Sequence, residues 1–190
     1  MRVIAGRARH LPLASIPGTD TRPTSDIVKE TLFNMINPYL PDCRFLDIFA
    51  GCGGIGIEAV SRGAASCTFI ESSHRAASCI RRNLEFTRLA QESELIEGDA
   101  LSALARLGRR GSSYDIIFMD PPYEKEWEKK VLTLLADSPL AAKDTLIIVE
   151  AEKHTDLSYA EDLGFSIMRE KIYKNNKHIF LKRSAGKEEV

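Results

Sequence analysis

Residues 118–123 read Phe118-Met119-Asp120-Pro121-Pro122-Tyr123 and close the apolar, strand-type run Tyr114-Asp115-Ile116-Ile117. A carboxylate buried at a strand end is costly unless something pairs with it. Two successive prolines stop a strand, bring no backbone N–H, and leave carbonyls without local partners. Asp120 as a cap, with the prolines opening the next helix, is the plain structural explanation. The alternative is a segment that presents a carboxylate, a carbonyl and an aromatic ring to a donor outside the protein.

A second constellation lies upstream. Leu46-Asp47-Ile48-Phe49-Ala50-Gly51-Cys52-Gly53-Gly54-Ile55-Gly56 contains Gly51-x-Gly53-x-x-Gly56, after a strand-type run and before a helical one. The motif alone is weak, but this is the context in which it binds an adenosine-type cofactor. Glu71 follows Gly51 by 20 residues, at the end of the next strand, where a carboxylate accepts from two ribose hydroxyls. Asp47 precedes the glycines. It suits an ammonium or sulfonium cation and would repel the pyrophosphate of a nicotinamide cofactor. Asp99, after the third strand, is placed to accept from an adenine amine. A helix cap or solvated loop charge would explain any one of these acids. All three at successive strand ends, with the glycines between, point to a cofactor crevice.

The elements that must carry these residues alternate. A helix is expected over 24–36, ended by Asn37-Pro38. Strands are expected at 44–49, 67–71, 93–99, 114–120 and 145–150. Helices follow at 55–63, 73–89, 100–108 and 124–136, with a further helical stretch at 157–164. Two closing strands, 165–173 and 178–183, are joined at Asn175-Asn176, residues that tolerate positive φ. Continuous apolar strands between helices mean a parallel sheet covered on both faces. The expected fold is α/β and Rossmann-like, a seven-stranded, mostly parallel sheet with an antiparallel closing strand. Its ligands bind beyond the strand C-termini.

At 190 residues the chain has ordinary domain size. We expect a single domain over 1–183, made of a basic arm (1–22), a leading helix (23–40) and the core (44–183), with a flexible tail at 184–190. Charged residues make up 28% and the net charge is −1, so bulk charge argues for no nucleic-acid partner and only local patches can. The arm is one such patch, with Arg2, Arg7, Arg9 and Arg22 against Asp20. Arg75, Arg81, Arg82 and Arg88 form a second. Cys43, Cys52, Cys67 and Cys79 have neither redox-motif nor zinc spacing and read as reduced cytoplasmic thiols, with no metal expected. Neither a signal peptide nor a membrane span is expected.

The motifs "DIFAGCGGIGIEAVSRGA", "FIE", "GDA" and "DPPY", in this order, resemble a class I S-adenosylmethionine-dependent methyltransferase acting on an exocyclic amine. With "MRVIAGRARHLPL" and "TRPTSDIVKETLFNMI" the chain is similar, over about 1–180, to the RsmD-type enzymes that methylate a guanine N2 amine of 16S ribosomal RNA. Cys52 stands where the family usually has serine, His10 where a glycine is expected, and no glycine follows Tyr173.

The resemblance implies S-adenosylmethionine as cofactor. Asp47, Ala50, Gly51, Gly53, Glu71, Asp99 and Ala100 would line its site, with Arg22 and Thr24 folding over the methionine tail. It implies Asp120, Pro121 and Tyr123 as the catalytic group. An amine on a base is a poor nucleophile because its lone pair is delocalised. Acceptors from Asp120 and the Pro121 carbonyl would favour a pyramidal nitrogen, while the flipped-out base stacks on Tyr123. Arg7 and Arg9 would contact RNA, within the assembled or assembling small ribosomal subunit in the cytoplasm. The same motifs leave open an N-methyltransferase acting on DNA adenine N6 or on another RNA base. A nicotinamide-dependent oxidoreductase is opposed by Asp47, and a catalytically silent RNA-binding domain by the intact "DPPY".

Overall fold

A computed structural model describes residues 1–16, 26–122 and 126–184. The chain divides into two compact units, 1–100 and 101–190. The first unit opens with α1 (Asp26–Ile36), which buries Leu32, Phe33 and Ile36 and runs into a 3-10 turn at Asn37–Tyr39, where Pro38 ends the α-helix. It continues through β1 (Arg44–Ile48), α2 (Gly54–Ser61), β2 (Ser66–Glu71), α3 (His74–Thr87), β3 (Ser93–Glu97) and the start of α4 (Ala100–Arg109). β1 pairs with β2 and β2 with β3, all parallel, with Asp47 opposite Phe69 and Glu71 opposite Glu97.

The second unit holds β4 (Tyr114–Met119), α5 (Trp127–Ala136), β5 (Ala141–Glu152), β6 (Phe165–Ile172) and β7 (Asn176–Arg183). β4 and β5 are parallel; β5–β7 and β7–β6 are antiparallel. The seven strands run in the order β3-β2-β1-β4-β5-β7-β6, a mixed, mostly parallel sheet of the expected Rossmann-like class. β1, β2 and β4 are buried almost throughout, as their largely apolar runs require. β6 is an edge strand and exposes Ile167, Met168 and Ile172, with its pairing register shifting between Ile167 and Arg169.

Three local expectations are corrected. β5 begins at Ala141, earlier than its apolar run. Thr145 Oγ1 donates to the Tyr114 carbonyl at 2.6 Å and accepts from Ala142 N at 2.8 Å, so one buried hydroxyl holds the polar Lys143-Asp144 stretch in the strand. The stretch 157–164 forms only a 3-10 turn at Ser158–Ala160, started by Asp156, which accepts from Ser158 N and Oγ, and closed by Gly164 at φ +79°. The β6–β7 hairpin closes through Tyr173 N donating to the Asn176 carbonyl at 2.8 Å, and neither Asn175 nor Asn176 adopts positive φ. A glycine after Tyr173 is therefore not required. Among the described residues, no helix is long and apolar enough to cross a membrane.

Candidate active site

In the first unit β1 ends at Ile48 and the chain turns sharply. Phe49 sits at φ +63°, a conformation costly for an aromatic residue, and Gly51 at φ +56°. The glycines have separate tasks. A Cβ on Gly51 would meet nothing within 4 Å, so the space before this turn is open. Gly53, at φ +81°, precedes the first residue of α2. A Cβ on Gly56 would lie 2.3 Å from Phe69 Cε1 and 2.6 Å from Cys67 Sγ, so only glycine lets α2 rest on β2.

Glu71 joins three strand-end turns. Its Oε2 accepts from Gly51 N at 2.8 Å and its Oε1 from Ser73 N at 2.7 Å, while its own carbonyl accepts from Gly98 N at 2.9 Å. Each carboxylate oxygen keeps a second lone pair for another donor. The Gly98-Asp99 turn is thereby tied to β2. Asp99 is exposed there, and the buried Ala100 opens α4. Ala50 N donates to the Ile70 carbonyl at 3.0 Å, which fixes the start of the glycine turn. The structure thus gathers Ala50, Gly51, Gly53, Glu71, Asp99 and Ala100.

Asp47 is only 2% exposed. Its Oδ2 accepts from Gly56 N at 2.9 Å, so the carboxyl lies against the first turn of α2. Burial pushes its pKa up to about 7; the Gly56 N–H opposes this and the Glu71 charge adds to it. Cys52 is half-buried. Burial and the neighbouring Cys79 thiol push its pKa up to about 11, so it remains a neutral thiol.

Two residues that pattern reading passed over hold this region. Asn83, 2% exposed, donates from Nδ2 to the carbonyls of Cys52 at 2.9 Å and Ala14 at 3.1 Å, and accepts from Ala14 N at 2.8 Å. Its signal in the sequence is an asparagine on the otherwise apolar arc of α3. Glu58, fully buried in α2, accepts from Ile4 N, Ala5 N and Arg62 Nε, and pairs with the equally buried Lys29 at 3.1 Å. A lone acid in the apolar "GIGIEAV" run was its signal.

The described part of the N-terminal arm holds no helix or strand and docks on α2. An Arg2–Pro12 bridge closes it, and Val3, Ala8 and Leu13 are buried. Ala8 N donates to Ser61 Oγ at 3.0 Å. His10 adopts φ +70°, the conformation that would favour glycine there and that histidine tolerates better than most residues. Arg7 reaches Glu92 at 2.6 Å, and Arg9 is exposed.

In the second unit β4 delivers Asp120 half-buried, followed by a buried Pro121 and an exposed Pro122. Phe118 packs edge-on against His178, with ring centroids 6.2 Å apart. His178 is fully buried between Glu150 (Nε2 to Oε2, 3.0 Å) and the Tyr173 hydroxyl (3.1 Å). Burial, with Glu150 adding, raises the Tyr173 pKa to about 12. Arg22, Thr24 and Tyr123 lie outside the described residues.

Residues 1–182 match the family model described as Conserved hypothetical protein 95. Among curated proteins, the Ribosomal RNA small subunit methyltransferase D of Escherichia coli (strain K12) is 37% identical over 90% of this chain and 84% of its own length. That of Haemophilus influenzae is 36% identical over 90% and 88%. Among solved structures, yhhF from Escherichia coli superposes with a TM-score of 0.83 at 34% identity, covering 97% of this chain and 98% of that one. The chain belongs to the Conserved hypothetical protein 95 family, which is the family of the ribosomal RNA small subunit methyltransferase D proteins.

Proposed function

We propose that this protein is an S-adenosylmethionine-dependent methyltransferase whose acceptor is the exocyclic N2 amine of a guanine in 16S ribosomal RNA of the small subunit, acting in the cytoplasm. The observation that carries the cofactor is the Glu71 carboxylate, fixed by Gly51 N and Ser73 N beside the open space of Gly51. These residues fit a ribose, with the two remaining lone pairs of Glu71 taking its hydroxyls. Asp99 and Ala100 would hold the adenine, and Ala50, Gly51, Gly53, Arg22 and Thr24 the amino-acid end. Asp47, its pKa near 7, is poised to ionise beside a cation. When bound, S-adenosylmethionine supplies an electrophilic methyl group on a sulfonium.

The chain's own share of the chemistry is positioning and charge stabilisation. Asp120 and the Pro121 carbonyl accept from the two N–H bonds of the target amine, which localises the nitrogen lone pair. Asp120 is also the nearest base in sequence to take the released proton. Tyr123 stacks the base, and Arg7 and Arg9 hold RNA phosphates. The family membership supports this reading, as does the uninterrupted Asp120–Tyr123 motif.

The test is single-turnover transfer of labelled methyl to purified small ribosomal subunits, followed by mapping of the modified base. Asp120→Ala should lose about 10²–10³ in rate, the usual cost of one preorganised electrostatic contact. Asp120→Asn separates the two roles: activity near wild type means hydrogen bonding suffices, and a fall to the alanine level means Asp120 takes the proton. Full activity in Asp120→Ala sinks the assignment.

A further inference from the structure

α3 spans His74–Thr87 with a buried arc of Ala76, Cys79, Ile80, Asn83, Leu84 and Thr87. At 3.6 residues per turn the exposed side divides into two flanks. On one flank stand His74, Arg81 and Glu85. Arg81 pairs with Glu97 at 2.7 Å, which offsets its charge, and His74 Nδ1 lies 2.6 Å from the same carboxylate. On the other flank Arg75, Arg82 and Phe86 form one row, spaced i, i+7 and i+11. Neither arginine makes an ion pair among the described residues, nor does Arg88 at the helix end. Phe86 is 55% exposed and stands one turn from Arg82, so its ring lies open beside the row's cations.

This open row borders the N-terminal arm. Cys79 and Asn83, the buried residues next to it, are those that bond Ala14. Beyond the helix end, the arm's Arg7 is tied to Glu92, which leaves that acid already occupied. The arm therefore adjoins the row at Ala14; its Arg2 and Arg7 are paired with Asp26 and Glu92, so the cations not offset by an ion pair among the described residues are the arm's Arg9 and the row's Arg75 and Arg82, with one protruding aromatic ring. Planar guanidinium groups suit phosphates, and an exposed ring suits a splayed base.

We propose that the Arg75–Arg82–Phe86 row of α3, adjoining the arm, is a docking surface for a single-stranded segment of RNA, with Phe86 stacking a base and the two arginines holding flanking phosphates. This rests on the reading of RNA as substrate and adds where, away from the reacting groups, the RNA is held.

The full chain is titrated with a single-stranded RNA oligonucleotide and, separately, with small ribosomal subunits at several salt concentrations. Arg75→Ala/Arg82→Ala should weaken both and lower the slope of log affinity against log salt by about 1.4, roughly 0.7 for each lost single-strand phosphate contact. Phe86→Ala should weaken binding about 5- to 150-fold with the slope unchanged, and Phe86→Trp should restore it. Arg81→Ala, on the flank paired with Glu97, should change neither. S-adenosylhomocysteine affinity, equal in all variants, confirms that each is folded. Wild-type methylation of subunits with unaltered RNA affinity and slope in the row variants overturns the surface alone. Loss of affinity for subunits but not for the oligonucleotide also overturns it, by assigning the row to a ribosomal protein. A wild type that neither binds RNA nor methylates subunits overturns the functional reading, and this surface with it.

Discussion

Asp47 carries an energetic signature of its burial. Its carboxyl is held near neutrality by burial, whereas in the unfolded chain it ionises near 3.8. A raised carboxyl pKa means the folded state keeps its proton longer than the unfolded state. The resulting stability is fully present below about pH 4 and is lost as pH rises through about 7. The group alone accounts for a fall on the order of 4 kcal/mol across that window. Asp47→Asn keeps an oxygen for Gly56 N–H and cannot ionise. Urea unfolding should show wild type losing stability relative to Asp47→Asn between pH 4 and 7; parallel pH profiles would contradict the burial argument. The position of this acid was legible in the sequence because it stands just before the glycines. Its depth was not, because the interval from Asp47 to Gly56 does not reveal that the side chain turns under α2 to meet a backbone N–H.

The elements follow the same division. Gly51, Gly53 and Gly56 announce a strand, a turn and a helix, and Glu71 announces the end of the next strand, so the alternation of β1, α2 and β2 could be read directly. What local pattern missed was long-range polar contact. Thr145 extends β5 through a bond to Tyr114, 31 residues away, and Glu58 gathers the arm from 53 and 54 residues away. Glu58 is the sharper case for experiment. Its carboxylate neutralises a lysine with no exposure, and removing one partner of such a pair typically costs about 3–5 kcal/mol because the other charge is left buried. Glu58→Ala should therefore lower unfolding free energy by about that amount and free the backbone of Ile4 and Ala5. Limited trypsin digestion should then cut after Arg7 and Arg9 much faster than in wild type. An unchanged cleavage rate would mean that the buried Val3, Ala8 and Leu13 and the bonds to Ser61 and Asn83 hold the arm without Glu58.

For the molecule as a whole, ligand binding and stability are linked. S-adenosylhomocysteine at about one hundred times its Kd should add about 2.7 kcal/mol. For a chain of this size that raises the melting temperature by about 5–10 °C. Glu71→Ala removes charge-assisted hydrogen bonds worth about 1.5–3 kcal/mol each, so affinity should fall at least tenfold and the shift should shrink accordingly. NAD should produce no shift; if it stabilises the protein as well as S-adenosylhomocysteine does, the cofactor assignment is wrong. The edge strand β6 has a consequence of a different kind. Ile167, Met168 and Ile172 give it the apolar side chains that would recruit a neighbouring chain as an added strand and start a growing fibre. The register shift between Ile167 and Arg169 interrupts the row of backbone groups such a newcomer would copy, and Arg169-Glu170-Lys171 places three consecutive charges at the break. The strand thus completes its own sheet while refusing to act as a template for another.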